Sequence, residues 1–274
     1  MFYNENGQLV AVLPANEADY ALWSHQGLTY GGLILSASVH TPDVGQLFRV
    51  LHSYLYDNKL RKLMYKCVPS IYHRLPAEED EYWLWRYGAQ LVGCNIAATV
   101  DLRSDMMSIN KRKQSYAKRL AMDGFSINEN TALEDFWPVL TENLKATYGA
   151  DPVHTLGEMQ RLQAAFPDNI RCWTVASPEG EVLGGMVLYV TPNTVHTQYI
   201  SASEDGKQQH VLDYLFVNVV RHYQEDGRYR YFDFGTSNER GGMILNESLT
   251  IQKELFGGRG IAYKTYCMNV NRQQ

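Results

Sequence analysis

Residues 194–234 read TVHTQYISASEDGKQQHVLDYLFVNVVRHYQEDGRYRYFDF. This stretch changes period twice. Thr194–Ala202 is rich in β-branched and aromatic residues, which predicts a strand. Val211, Leu212, Leu215, Phe216, Val219 and Val220 then fall at i, i+1, i+4, i+5, i+8 and i+9, one apolar helix face. Tyr229–Phe234 returns to strand composition. Upstream, Arg171–Ser177 turns through Pro178-Glu179-Gly180 into Val182–Thr191, and Pro192-Asn193 leads into the quoted strand. Two helices precede these strands. Residues 131–148 start at Thr131, with Glu134 three residues later as a capping box, and Leu156–Phe166 closes at Pro167. Downstream, Ile244–Phe256 reads as a helix and Ile261–Val270 as a final strand. The order is two helices, three meander strands, helix, strand, helix, strand. That predicts an α/β (α+β) fold and excludes a TIM barrel or a regular βαβ wind.

The first half repeats the later part of this order. Phe2–Tyr3 is a strand stub that turns at Asn4–Gly7 into Gln8–Leu13, followed by a strand at Tyr20–Trp23 continued through Gly27–Gly32. A helix over Asp43–Asp57 takes Thr41 as N-cap and Pro42 in its first turn. A strand Arg61–Val68, a helix Ile71–Trp85 and a strand Leu91–Val100 follow. NENGQLVAVLPANEADYALWSHQ and SPEGEVLGGMVLYVTPNTVHTQY keep turn, strand and turn in step. Similarity at one long spacing predicts a duplicated domain rather than a solenoid. The division is residues 1–104, a basic linking helix 105–123, and 124–274. The join carries KRKQSYAKR at 111–119, five cations in nine residues. A solvated helix face explains such a run; a phosphate-bearing partner is the functional alternative.

The 274 residues carry 25 Lys+Arg against 30 Asp+Glu, a formal charge of −5 that argues against nucleic acid binding over the whole surface. Hydrophobic residues at 45% and charged residues at 20% exclude wholesale disorder. No apolar run reaches the length of a membrane span, and the N-terminus lacks the basic and apolar regions of a signal peptide. Cys67, Cys94, Cys172 and Cys267 are scattered, without metal-ligand spacing, and read as reduced interior thiols. A soluble cytoplasmic protein without a metal is expected.

SHQGLTYGG (24–32), INKRKQSYAKRL (109–120), HTQYISASEDG (196–206), YFDFGTSNE (231–239) and LNESLTIQKELFGGRGIAY (245–263) carry a resemblance across the whole chain. Residues 125–274 resemble the GNAT acyltransferase fold, and tandem copies joined by a basic helix resemble the FemABX branch of bacterial envelope pathways. The resemblance implies transfer of an acyl or aminoacyl group to an amine of a cell-envelope or surface-sugar precursor, by direct attack. The donor it implies is acyl-CoA (acetyl-CoA) or aminoacyl-tRNA, and the acceptor a small-molecule or nucleotide-linked amine. A non-catalytic binding protein on the same fold is the competing reading. The usual Gln/Arg-x-x-Gly-x-Gly/Ala pyrophosphate loop is absent, the first copy lacks the opening strand and two helices, and there is no long inserted helical hairpin.

Site expectations follow from that resemblance. Acyl transfer needs a neutral amine, hence a base, and a group to hold the oxyanion. The strands flanking the central splay offer His196, Tyr199 and Asp233, with Gln198 beside them; a structural histidine is the alternative for His196. Asp233 lies between Phe232 and Phe234, so its carboxylate should point away from their face. Ser203, Gly206 and Lys207 open the following helix and are the expected donor-phosphate contacts, opposed by Glu204 and Asp205. His25, Thr29 and Tyr30 among glycines are expected to line the acceptor site, with Glu239 and Arg259 as further substrate contacts. A bulged strand at 24–32 and a glycine C-cap at 257–260 are the plain alternatives.

Overall fold

The structure, a computed structural model, describes residues 1–270. In chain order its elements begin β1 (Phe2–Tyr3), β2 (Leu9–Val12), β3 (Asn16–Ala18), β4 (Ala21–Trp23), β5 (Ile34–Leu35), α1 (Thr41–Asp57) and β6 (Lys62–Lys66). They continue α2 (Glu79–Arg86), β7 (Gln90–Asp101), α3 (Lys111–Met122), β8 (Ser126–Glu129), α4 (Leu133–Tyr148), α5 (Leu156–Ala165), β9 (Ile170–Ala176), β10 (Val182–Val190) and β11 (Thr194–Ala202). The last are α6 (Glu204–Gln209), α7 (Val211–Asp226), β12 (Tyr231–Thr236), β13 (Asn238–Glu239), β14 (Ile244–Leu245), α8 (Glu247–Glu254) and β15 (Arg259–Asn269). The fold is mixed α/β, as expected. Two compact units form, and they are not divided linearly. One holds Met1–Ile96, Asn238–Leu245 and the chain from Ile261 onward; the other holds Ala97–Ser237 and Asn246–Gly260.

In the second unit the strand order is β7, β12, β11, β10, β9, β8. All neighbours are antiparallel except β11 and β12, which run parallel. β10 is buried along nearly its whole length, as its run VLGGMVLYV requires of a strand covered on both faces. α3 and α7 pack on one face, burying Ala117, Leu120, Val211, Leu215 and Val219 against Val195, Phe232 and Phe234. α4 and α5 cover the other through Phe136, Leu140 and Met159. Gly185 makes the α4 contact feasible: a Cβ there would lie 2.6 Å from the Phe136 ring and 2.7 Å from the Trp173 carbonyl.

Helix α4 begins at Leu133 with Ala132 as its N-cap and no side-chain cap, so the capping box expected at Thr131 does not form. The Thr131 hydroxyl bonds the Asn128 carbonyl instead, at 3.1 Å. The box occurs one helix later, where Thr155 and Glu158 cap α5 reciprocally at 2.8 and 3.2 Å. The helix expected over 244–256 is confined to α8, because Ile244–Leu245 pair as a strand with Asn238–Glu239 and Asn246 caps the helix through Leu249 N–H.

In the first unit the main sheet runs β3, β4, β6, β15, with the opening residues of β7 beside β15, and β1, β2 and β5 form a small separate sheet. Val44, Phe48, Leu51 and Leu55 of α1 pack against Leu63, Tyr65 and Leu84. Pro42 sits in the first turn as expected, but the N-cap is His40 rather than Thr41; His40 N–H donates to Asp43 at 2.9 Å. Two expectations fail here. The helix expected over 71–85 is a 3-10 turn, Ser70–Tyr72, and then α2 from Glu79. Pro76 explains the gap, since the residue before proline is pushed out of the helical region. The strand expected through Gly27–Gly32 is a series of turns.

Both units share one motif, a strand, a helix and a strand joined by a short parallel ladder. Ala21, Leu22 and Trp23 pair with Lys62, Leu63 and Met64. Thr194, Val195 and His196 pair with Tyr231, Phe232 and Asp233. In each case three pairs form and then the strands part.

Candidate active site

The parting of β11 and β12 places His196 and Asp233 side by side as the last ladder pair. Phe232 and Phe234 enter the core under α7, so Asp233 points to the opposite face, as alternation predicts. Its carboxylate is fully buried. Oδ1 accepts from the Thr99 hydroxyl and from Gly235 N–H, each at 3.0 Å. Oδ2 meets His196 Nδ1 at 2.8 Å. A buried carboxylate held by three donors is fixed in place, and it fixes the imidazole proton on Nδ1. Nε2 is then the basic nitrogen, the arrangement that lets a histidine take a proton while a carboxylate steadies it. The imidazole side chain is 19% exposed, so it remains reachable.

Gly235 continues β12 at φ +71°, and a Cβ there would meet His196 Cε1 at 3.3 Å. Its carbonyl and that of Thr236 accept from Lys253 Nζ at 3.0 and 2.8 Å. Burial brings the Lys253 ammonium down to about 8, against the opposing pull of Asp233. Lys253 thus clamps the turn whose N–H binds Asp233. Sequence reading missed it, because α8 buries this lysine while leaving Leu249 and Ile251 exposed, the reverse of an amphipathic pattern. Thr99 was missed as well; it lies on β7, far away in sequence.

Tyr199 is brought to the same sheet face by an irregularity. Val187 pairs with Tyr199 and Leu188 with Thr197, so Gln198 is an extra residue in β11. Without that bulge, residues 196 and 199 would point to opposite faces. The Tyr199 hydroxyl bonds His154 Nδ1 at 2.7 Å and His154 N–H at 3.2 Å, tying it to the segment between α4 and α5. Burial raises its phenol above the ordinary tyrosine range.

Ser203, Gly206 and Lys207 lie at the start of α6, where a fold-implied CoA pyrophosphate would need open N–H groups. Gly206 N–H already donates to Ser203 Oγ at 3.1 Å, and Lys207 N–H to the Ser203 carbonyl at 2.9 Å. Lys207 Nζ pairs with Glu204 at 3.3 Å. Gly206 is buried against β10, its Cβ position 2.3 Å from the Leu183 carbonyl. These groups fit a helix cap packed on a strand and fit a pyrophosphate poorly. Arg259 donates to the neighbouring Gly258 carbonyl at 2.7 Å.

In the first unit the gap after the parallel ladder is filled by the chain. Ser24 N–H donates to the Met64 carbonyl at 2.8 Å, Lys66 N–H to Ser24 Oγ at 2.7 Å, and Gly31 N–H to the Lys66 carbonyl at 3.1 Å. Lys66 Nζ reaches the carbonyls of Leu28 at 2.6 Å and Gln26 at 3.2 Å, and burial lowers its ammonium. The loop carrying His25, Thr29 and Tyr30 is therefore pinned from beneath. His25 takes φ +58°, and Tyr30 packs on Tyr72 at 4.6 Å between ring centroids. Glu239 belongs to this unit too, exposed on β13.

Residues 109–240 match the acetyltransferase (GNAT) domain family. That segment of the chain is a GNAT domain, as its element order anticipated. Three solved structures share the fold across nearly the whole chain. L-PGS from Bacillus licheniformis is 14% identical at a TM-score of 0.65, covering 99% of this chain and 84% of its own. The C-terminal domain of a putative lysylphosphatidylglycerol synthetase from Agrobacterium fabrum is 13% identical at 0.66, covering 98% and 83%. FemX is 10% identical at 0.65, covering 90% and 83%, and the FemABX resemblance holds at the level of fold. No curated protein matches.

Proposed function

We propose that this chain is an N-acyltransferase that moves an acyl or aminoacyl group onto an amine of a cell-envelope or surface-sugar precursor. The His196–Asp233 pair, set where two parallel strands part, carries the reading. An attacking amine loses its proton to Nε2 of His196 as its nitrogen bonds the acyl carbon. Asp233 stabilises the imidazolium, and the proton passes on to the leaving group as the tetrahedral intermediate collapses. Thr99, Gly235 and Lys253 hold this pair in register. The fold of FemX and L-PGS and the GNAT domain support the class of reaction. The loop carrying His25, Thr29 and Tyr30 is the proposed acceptor-side surface, with Glu239 and Arg259 as further substrate contacts.

The donor remains acyl-CoA or aminoacyl-tRNA in this reading. The satisfied amides of Ser203 and Gly206 favour the second, because a pyrophosphate would have to displace Ser203 from its cap. Labelled acetyl-CoA and a labelled mixture of aminoacyl-tRNAs, each offered with nucleotide-linked amino sugars, test the proposal. His196→Gln should lower kcat about 10²- to 10⁴-fold with KM little changed. A folded chain that binds one of these compounds and transfers nothing would favour the binding-protein reading.

A further inference from the structure

We infer that Thr236 is a further catalytic residue, whose hydroxyl donates a hydrogen bond to the acyl oxygen as that oxygen takes on negative charge. The inference deepens the proposed function, on which it rests, by naming an oxyanion contact that the His196–Asp233 pair does not supply.

Both strands of the parted ladder carry one extra residue just beyond their last pair. In β11 it is Gln198, two residues past His196. In β12, Asp233 pairs with Thr99 of β7 and Thr236 with Ala97, so Phe234 and Gly235 together stand opposite Ala98. Ala98 and Val100 belong to the core under α7, so Ala97 and Thr99 face the other way, and Thr236 with them. Strict alternation would have turned Thr236 away from the face of Asp233. Gly235 permits the bulge at φ +71°, a conformation that side chains rarely adopt.

The two bulges thus bring one hydroxyl from each strand to the face of His196 and Asp233. That of Tyr199 is engaged by His154. Nearby, Thr99 directs its hydroxyl to the Asp233 carboxylate at 3.0 Å and Thr197 to the Asp233 carbonyl at 3.3 Å. Thr236 is half-buried, and its carbonyl is held by Lys253 at 2.8 Å. Its hydroxyl has no protein partner among the described residues. A donor on a clamped backbone, with its hydrogen bond still to make, meets the requirement for stabilising charge that appears only during reaction.

The spacing suits this role. Thr236 stands two ladder steps beyond Asp233, about 7 Å along the sheet. An acyl carbon attacked by an amine hydrogen-bonded to His196 Nε2 lies about 4 Å from that nitrogen, within the same span. As the amine nitrogen bonds the carbon, the π pair of the carbonyl moves onto oxygen and the amine proton passes to Nε2. Thr236 keeps its own proton and donates to that oxygen. On collapse the carbonyl re-forms, and the thiol or alcohol of the donor leaves with the proton from His196.

Transfer from labelled acetyl-CoA and aminoacyl-tRNA to nucleotide-linked amino sugars, by wild type, Thr236→Val, Thr236→Ser and His196→Gln, tests this. Valine matches threonine in shape and suits a strand, so Thr236→Val should unfold at the wild-type temperature. Its kcat should fall about 10²- to 10³-fold with KM little changed, the mark of a contact made only in the transition state. Thr236→Ser should recover most of that rate, although it loses the β-branch. A structural role predicts the reverse order, Val above Ser. The pH profile of Thr236→Val should keep its wild-type shape, because His196 and Asp233 are intact, whereas His196→Gln should flatten it. Wild-type kcat in Thr236→Val, or Val above Ser, with His196→Gln still impaired, would overturn the inference and leave the proposed function standing. No transfer by any of the four proteins would overturn both.

Discussion

At the scale of single residues, the proposed chemistry rests on one buried carboxylate, both of whose oxygens hold hydrogen bonds. Asp233→Asn would keep the volume but exchange an acceptor for an amide donor against His196 Nδ1 or a neighbouring donor. The variant should lose most transfer activity and lose stability of about 1–3 kcal/mol in urea titration. Lys253 gives a pH signature. Its folded value of about 8 lies below the ordinary lysine value of about 10.4. Between those values the unfolded chain binds more protons than the folded one, so this residue's contribution raises stability as pH climbs through the window. The cost of the buried ammonium is fully present below about pH 8. Urea midpoints of wild type and Lys253→Met, compared from pH 7 to 10, should therefore differ in slope, with Met the flatter. Parallel curves would remove Lys253 from this account.

At the scale of elements, close backbone approach decides what fits. Gly206→Ala places a methyl 2.3 Å from the Leu183 carbonyl oxygen, a backbone atom that cannot swing aside. α6 must then lift from β10, at about 1–3 kcal/mol and a melting point lower by roughly 3–10 °C. Gly180→Ala, in open space at φ +89°, carries only backbone strain and should cost less. The elements themselves were largely legible in the sequence. β9, β10, β11 and α7 stand within a residue or two of their periodic patterns, and the placement of Asp233 on the sheet face opposite Phe232 and Phe234 followed from alternation. The Gln198 bulge was not legible, because an extra residue in a strand shows only against its partner. Lys253 and Thr99 were hidden for a related reason: their roles come from segments distant in sequence, and Lys253 contradicts its helix's polarity. The turns at 27–32 depend on Lys66, a partner roughly forty residues away, which no local pattern announces.

At the scale of the whole molecule, the first unit is completed by the end of the chain. β6 pairs with β15 from Lys62–Asn269 to Lys66–Thr265. Truncation after Gly260 removes that partner while leaving the second unit's strands in the chain. Hydrogen exchange should show β6 amides losing protection in the truncated chain while β9, β10 and β11 keep theirs; uniform loss across both would contradict the division. Among the described residues no helix is long and apolar enough to cross a membrane. Turns and strands kept in step suggested a duplication; the parallel ladder that the two units share shows only in the structure, and its two copies differ in what they end on. One ends on His196 and Asp233, the other on Trp23 and Met64 with Ser24 and Gly31 sealed onto Lys66. Only the former pair brings an imidazole and a carboxylate together.

The most direct measurement is single-turnover acyl transfer to nucleotide-linked amino sugars, from labelled acetyl-CoA or aminoacyl-tRNA, by wild type and His196→Gln proteins of matched thermal stability. The account predicts transfer by wild type and a loss of at least about 100-fold in the variant. Equal rates in the two proteins would contradict it.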